Sequence, residues 1–333
     1  MGVEKLVSFN SISKTAKKVN LFLLSNLHGS PEEIYKAASY LIEHGGKRLR
    51  PYMVIKSCEI LGGTIKQALP SAAAIEMVHN FTLIHDDIMD NDEMRHGVPT
   101  THTKFGIPVG ILAGDVLFSR AFETISQGDP KIPNGVRIAL VSNLAKACTD
   151  VCEGQALDIM MAQSRKIPTE KQYITMIEKK TSALFAAACA MGAISANMKS
   201  KDVANLSSFG KNLGIAFQIV DDLIGIIGDS KITKKPVGND LREGKKSLPI
   251  LLAINRANGQ KKKIILNAFG NSSISKKELE NVVRTISSMG IENSVRKKAI
   301  LYSNAAKKAL LSYKGSAKNE LLSLLDFVVE RSQ

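Results

Sequence analysis

Tryptophan is absent from the 333 residues, aromatic residues make up only 5%, and there are four cysteines. Each scarcity excludes something. The sequence contains no helix-turn-helix pattern and too few aromatics among its basic residues to build a stacking platform, so nucleic acid is not an expected partner. Cys58, Cys148, Cys152 and Cys189 are scattered, with no Cys-x-x-Cys or Cys/His spacing. That excludes a disulfide scaffold and a zinc site, and it fits a reducing, intracellular setting. Alternating Val/Ile/Thr runs bounded by turns are nearly missing, which argues against a sheet. Long runs of large aliphatic residues are missing too. The stretch from Thr181 to Met198 is uncharged but built mostly from Ala, Ser and Gly, a composition that predicts a close-packed helix inside a bundle and no transmembrane segment. The opening residues lack the apolar core of a signal peptide and carry Leu6 where a myristoylation signal has Ser or Thr, so a cytoplasmic protein is expected.

What is present is an ordinary globular balance, 44% hydrophobic and 23% charged, with too few acids for its bases. Lys and Arg number 45 against 31 Asp and Glu, a formal charge of +14. Such an excess favours an anionic partner, and by itself does not choose among nucleic acid, anionic lipid and a phosphorylated small molecule. The lysine clusters at 261–263, 297–298 and 307–308 are expected on solvated helix faces. Helix punctuation is legible: Ser30, Pro31 and Glu33 predict a capped start, with Gly45-Gly46 as the stop. Thr169 with Gln172 and Ser275 with Glu278 predict two more capping boxes. Apolar residues recur at helical spacing between these signals, so the fold is expected to be all-α, one large helical domain. The polar stretches at 127–134, 228–246 and 258–263 are loop-sized. One domain over 1–333 is expected, with 1–29 an N-terminal helical segment and 250–333 peripheral C-terminal helices.

Two acidic segments carry the chemistry. Asp86, Asp87 and Asp90 close the apolar run that ends at Ile84-His85. Four residues exceed one helical turn slightly, so Asp86 and Asp90 share a face with roughly 5–6 Å between their Cβ atoms. Three carboxylates so close repel one another unless a cation intervenes, and hard oxygen ligands that leave room for water and phosphates suit magnesium. Asp221 and Asp222 again end an apolar helical run; facing helices of this kind would line a cavity with carboxylates. Di-iron bundles also use inward carboxylates but need Glu-x-x-His pairs, which do not occur here. Basic groups follow these acids: Lys47, Arg48 and Arg50 after the glycine stop, Arg95 and His96 after the first acidic run, Lys180-Thr181, and Lys234 to Lys246 after the second. Carboxylates that hold magnesium, together with cations that contact phosphate oxygens, describe a diphosphate site.

GGKRLRP, DDIMD with Arg95, GQALD (Gly154, Gln155, Asp158), Lys180-Thr181, FQIVDD and KPVGNDLREGKKSLP stand in the order found in trans-isoprenyl diphosphate synthases. The chain resembles that family over residues 42–249. FTLIHDDIMD and DDLIG are most similar to the archaeal geranylgeranyl diphosphate synthases. The resemblance implies a single large helical bundle of the isoprenoid synthase type around a deep central cavity, and a homodimeric, magnesium-dependent prenyltransferase that condenses isopentenyl diphosphate with an allylic diphosphate. It assigns Asp86, Asp90 and Asp221 to magnesium, three ions per site with substrate bound, and Asp87 and Asp222 to their support. It assigns Arg95, Lys180, Thr181, Gln218, Lys235 and Lys245 to the allylic diphosphate, and Lys47, Arg50 and His79 to isopentenyl diphosphate. Two positions depart from the family pattern. His96 replaces a second arginine, which weakens a phosphate contact because imidazole is shorter and only partly charged, and Gly225 replaces a third aspartate. Phe81, with Thr82 beside it and Val78 and Met77 behind, is expected to set chain length; one aromatic followed by a small residue implies a twenty-carbon product. A farnesyl or longer-chain product, and a non-catalytic subunit of a heteromeric synthase, are the alternatives. A class I terpene cyclase would have no use for Lys47, Arg50 and His79.

Overall fold

The computed structural model describes residues 3–127, 132–227 and 238–330. Helices form nearly all of it: α1 (Val3–Ser25), α2 (Glu32–His44), α3 (Leu49–Glu59), α4 (Ile65–Met89), α5 (Thr101–Phe105), α6 (Ile107–Ser126), α7 (Asn134–Gln163), α8 (Glu170–Ile177), α9 (Ala183–Ser195), α10 (Ser200–Ile227), α11 (Asn239–Arg242), α12 (Leu248–Arg256), α13 (Gly259–Ala268), α14 (Lys276–Ser288), α15 (Ile291–Ala309) and α16 (Ser316–Glu330). The all-α reading stands. Among the described residues the only strands are β1 (Met94–Arg95) and β2 (Val98–Pro99), an antiparallel pair. No helix among them is long and apolar enough to cross a membrane.

Local sequence explains most boundaries. The boxes at Thr169/Gln172 and Ser275/Glu278 form as expected. A further box, Thr64 with Gln67, opens α4. The expected Ser30/Glu33 box does not form: α2 begins at Glu32 with Pro31 as its N-cap, so Ser30 lies one residue outside the capping position. Residues 258–263 are also not a loop. Asn258 is the extended N-cap of α13, whose lysines face water while Ile265 and Ala268 turn inward.

Contacts divide the described residues into two compact units, 3–148 with 184–210 and 310–323, and 149–183 with 211–309 and 324–330. In the first, α4 packs against α3 and α6, and its Ala72, Ala73, Ala74 and Met77 are fully buried. Nearly every residue of α9 is buried, and its small side chains bring it close to α3. Glu320 of α16 ties this unit to its ends: it accepts hydrogen bonds from Tyr52 and Ser11 (2.5 Å each) and pairs with Lys56 at 3.1 Å. The second unit is built on an aliphatic core that includes Ile219, Val220, Leu223, Leu248, Ile254, Val282 and Val295. Each such side chain, once buried, contributes roughly 1.5–3 kcal/mol.

Between α8 and α9 the helix widens into one π turn, Glu178–Ser182. π turns are rare and concentrate at functional sites. The backbone of α7 lies directly against this turn at Gly154, where an added Cβ would overlap Lys180 N and lie 2.5 Å from Lys180 Cα. No side chain fits between two main chains that close. Gly154→Ala should therefore lower stability by about 1–3 kcal/mol, read as a drop in denaturation midpoint; a midpoint equal to wild type would mean that the two backbones separate freely.

Candidate active site

In the first unit, α4 remains helical to Met89, and Asp90 caps it by donating its N–H to the Asp86 carbonyl at 2.8 Å. Asp86 is half-buried and Asp90 exposed on one face, whereas Asp87 points inward and is fully buried. The β1–β2 hairpin, which the sequence reading did not anticipate, brings Arg95 back onto Asp87. Its Nε donates to Oδ1 at 2.7 Å and its Nη2 lies 2.5 Å from the same oxygen. Burial pushes the Asp87 carboxyl up and Arg95 pulls it down. The second oxygen, Oδ2, is buried and has no hydrogen-bond partner among the described residues.

The turn before α3 supplies the basic groups. Lys47 is exposed, but Arg48 turns inward in a left-handed conformation (φ 52°). Its guanidinium donates to Asn20 Oδ1 and the Gly45 carbonyl (2.7 Å each) and to the Ile42 carbonyl, and it pairs with Glu76 at 3.0 Å. Both partners of that pair are under 4% exposed. Arg50 stands apart from it. Its guanidinium stacks 4.2 Å from the Phe185 ring centroid, and its Nη1–H donates to His79 Nε2 at 3.2 Å. Burial pushes Arg50 down to about 10, still protonated at neutral pH, and its Nε is buried with no partner among the described residues. Burial, then the charges of Arg50, Arg48 and Arg95, hold His79 well below its ordinary 6.5. Accepting from Arg50 at Nε2 leaves its proton on Nδ1. Burial and the nearby arginines Arg95 and Arg48 also lower His96, so at neutral pH it presents a neutral ring.

The second unit holds the other set. Lys180 and Thr181 lie on the π turn, and Lys180 Nζ meets Asp158 at 2.6 Å. Thr181 donates to Gln218 Oε1 at 2.9 Å, and Gln218 Nε2 donates to Asp222 Oδ1 at 2.8 Å. Tyr173 donates to Asp222 Oδ2 at 2.6 Å. Both oxygens of the buried Asp222 are thus occupied by neutral donors, while its neighbour Asp221 is exposed. Burial pushes Asp222 up to about 7, the two hydrogen bonds oppose this, and Asp240 and Asp221 add to it. Carboxylates surround Lys245 and raise it against the effect of burial. Lys235 lies outside the described residues.

Phe81 occupies the predicted place on α4, with its ring 4.6 Å from His85 and 5.1 Å from Phe118 of α6, which in turn lies 5.1 Å from Phe122. Met77 and Val78 are fully buried, and Thr82 bonds to the His79 carbonyl at 2.8 Å.

The model of one family, Polyprenyl synthetase, matches residues 31–286, which span both acidic segments and the basic turn. The chain belongs to the polyprenyl synthetase family. It is 40% identical over 296 residues to the geranylgeranyl diphosphate synthase of Sulfolobus acidocaldarius, covering 89% of each chain. With the Methanosarcina mazei enzyme of the same name it shares 43% over 274 residues, 82% of this chain and 81% of that one. Its fold matches the crystal structure of a geranylgeranyl pyrophosphate synthetase from Pyrococcus horikoshii with a TM-score of 0.91 and 36% identity, over 97% of this chain and 98% of that one.

Among the described residues, no three His, Cys, Asp or Glu side chains converge into a ready-made metal cage. The donor set still suits magnesium, which takes one or two carboxylates and fills its remaining positions with water and phosphate. The orphaned Asp87 Oδ2 faces the same need for a positive partner. Four contributors escaped sequence reasoning: Arg48 as an internal strut, Glu76 beneath it, Tyr173 on Asp222 and Phe118 beside Phe81. Glu76 carried a signal, since an acid inside an otherwise apolar helical run must be paired. Tyr173 carried none.

The His79 environment sets a pH dependence. Unfolded, its ring takes a proton below about 6.5; folded, it refuses one until much lower pH. The unfolded state then binds more protons, so stability falls as pH drops below that value, by up to about 1.4 kcal/mol per pH unit. His79→Gln should flatten this part of the stability curve, measured by denaturant unfolding between pH 7.5 and 5. Parallel curves for the two proteins would contradict the assignment.

Proposed function

We propose that the chain is a magnesium-dependent prenyltransferase that joins isopentenyl diphosphate to an allylic diphosphate, releases pyrophosphate and makes geranylgeranyl diphosphate. The observation that carries this reading is Arg50, a stacked, half-buried guanidinium whose Nε has no partner among the described residues, in the same unit as the Asp86/Asp90 face. A charged guanidinium with donors to spare is suited to an anion. Family membership and the named relatives supply the substrate class.

Asp86, Asp90 and Asp221 would hold magnesium, three ions per site with substrate bound, which when present neutralises charge on the allylic diphosphate. Arg95, Lys180, Thr181, Gln218, Lys235 and Lys245 would bind that diphosphate, with Asp87 and Asp222 fixing their neighbours. Lys47, Arg50 and His79 would bind isopentenyl diphosphate, with His79 acting as a neutral hydrogen-bond donor through Nδ1. These groups stabilise negative charge as the allylic C–O bond breaks and its electron pair leaves with the diphosphate. The double bond of isopentenyl diphosphate attacks the resulting cation. A proton then passes to the departing pyrophosphate, which leaves an allylic product five carbons longer. No side chain forms a covalent bond to substrate. A homodimer is part of the reading, supported by the exposed Ile107, Ile111 and Leu112 on α6, as is a cytoplasmic location.

Incubating the protein with isopentenyl diphosphate, each allylic primer and magnesium, then sizing the products, tests the reading; no released pyrophosphate with any primer would refute it. Asp86→Ala and Asp221→Ala should each lower turnover by about a thousandfold or more with an unchanged circular dichroism spectrum. Near-wild-type turnover at saturating magnesium would remove the metal assignment.

Chain length gives a separate check. Phe81→Ala should lengthen the products past twenty carbons by opening the space beside Phe118, and Thr82→Phe should shorten them. If neither variant shifts the product distribution, the growing tail does not pass Phe81.

A further inference from the structure

Most of the chain's formal charge comes from four helices of the second unit. Residues 248–309, which form α12 to α15, carry twelve Lys and Arg against three Glu, so they supply +9 of the +14. Some of these charges are matched. Arg296 pairs with Glu292 at 2.7 Å, Lys307 with Asp326 at 2.8 Å, and Lys298 with Glu170. Lys297 and Lys308 are exposed and have no ion pair among the described residues. Both fall on one outward stripe of α15. Lys297, Leu301, Asn304 and Lys308 follow one another at steps of four, three and four residues and are all exposed, while Val295, Ala299, Ser303 and Ala306 are buried on the opposite side. Ile300 and Ala305 flank the stripe and are exposed too, and no Asp or Glu lies among these residues. Leu301 is 66% exposed and Ile300 47%. A single aliphatic side chain in water means little; here two lie side by side, bracketed by unmatched lysines.

We infer that this stripe of α15 is a docking surface for an anionic lipid bilayer, with Lys297 and Lys308 at the headgroup phosphates and Ile300 and Leu301 entering the acyl boundary between them. Charge complementarity selects the class of partner. α15 carries five basic residues and one acid, and basic clusters on a helix with exposed aliphatic side chains suit the surface of an anionic membrane. The aliphatic pair selects within that class. Nucleic acid also offers phosphates, but it gives Leu and Ile nothing to enter, and it is gripped through Arg forks and aromatic stacking that the stripe lacks. Lysine can lay its aliphatic stem along an apolar surface while its ammonium stays in water. The spacing agrees with this. Lys297 precedes Leu301 by one turn and Lys308 follows it by two, about 10 Å along the axis, so both ammonium groups reach the headgroups of a bilayer on which the helix lies flat. Two lysines and two aliphatic side chains make the attachment peripheral and reversible, and added salt weakens it. None of the four belongs to the proposed diphosphate site, so docking and turnover are separable.

The test is co-sedimentation of the full chain with vesicles of phosphatidylcholine alone and with phosphatidylglycerol added. Wild type should bind the anionic vesicles at least about tenfold more tightly than the neutral ones. Lys297→Glu/Lys308→Glu should weaken that binding by about twentyfold or more, and Leu301→Gln by about fivefold. Lys199→Glu/Lys201→Glu makes the same change of net charge on exposed residues of the other unit and should alter binding by less than about twofold. All three variants should keep the wild-type melting temperature and turnover in solution, because every substituted side chain is exposed. Equal binding to the two kinds of vesicle would overturn the proposal, as would binding that survives the charge reversal at 297 and 308. An equal loss in the Lys199/Lys201 control would reduce the effect to net charge, and unchanged binding in Leu301→Gln would remove the insertion; either result refutes the docking surface. Two further measurements address the rival occupants. Tighter binding of a double-stranded RNA fragment than of anionic vesicles would assign the stripe to nucleic acid, and a changed sedimentation coefficient in Leu301→Gln would assign it to a second copy of the chain. Each of these also overturns the lipid assignment.

Discussion

A guanidinium folded back through its own turn onto a buried carboxylate organises the basic end of this protein. Arg48 and Glu76 are both sealed from water, and removing either would leave the other as an uncompensated buried charge, at a cost of about 3–5 kcal/mol. Because Arg48 also holds the Gly45 and Ile42 carbonyls and the Asn20 amide oxygen, the turn from α2 to α3 has one conformation available to it. Lys47 and Arg50, on either side, inherit their directions from it. Glu76 sits one turn before Asn80 and three residues before His79 on α4, so the strut also sets the register between the basic turn and the helix that ends in Asp86 and Asp90.

The two acidic helix ends solve the same electrostatic problem differently. At the end of α4 the inward carboxylate, Asp87, is met by a charge, Arg95, delivered by a short hairpin. At the end of α10 the inward carboxylate, Asp222, is met by two neutral donors, Tyr173 and Gln218. Burial raises both carboxyls; the guanidinium opposes the rise at Asp87, and the two hydrogen bonds oppose it at Asp222, which still reaches about 7. In both cases the outward aspartates, Asp86 with Asp90 and Asp221, are left at the surface of their units, where a hydrated cation can approach without stripping its water.

Much of this was legible in the sequence because it depends on spacing. Helical periodicity, two capping boxes and the four-residue step from Asp86 to Asp90 are local facts, and the ordered motifs are specific enough to name the family. What spacing could not supply is the direction of a side chain. Arg48 and Arg50 are two residues apart and look alike, yet one is a buried strut and the other a half-buried, partly unpaired cation. Only the left-handed backbone at Arg48 separates them. Tyr173 reads as a core aromatic until α10 is placed beside it, and Phe118 gains meaning only from the ring of Phe81. The Asn258–Lys263 stretch misled for a related reason: three lysines in a row look like a loop when the helix they decorate is buried by its next turn.

The π turn at Glu178–Ser182 carries a consequence for how such a protein can vary. An α-helix advances about 100° per residue, and the π turn holds one residue more than the α turns on either side. Deleting any residue there would let the helix close into regular α form and would rotate the whole of α9 by that angle, turning its buried alanines and glycine outward. Since almost every residue of α9 is enclosed, such a rotation has no tolerable outcome. Substitutions within 178–182 are a question of chemistry, decided residue by residue; insertions and deletions are a question of phase, and the phase of α9 is fixed by the number of residues in that single turn.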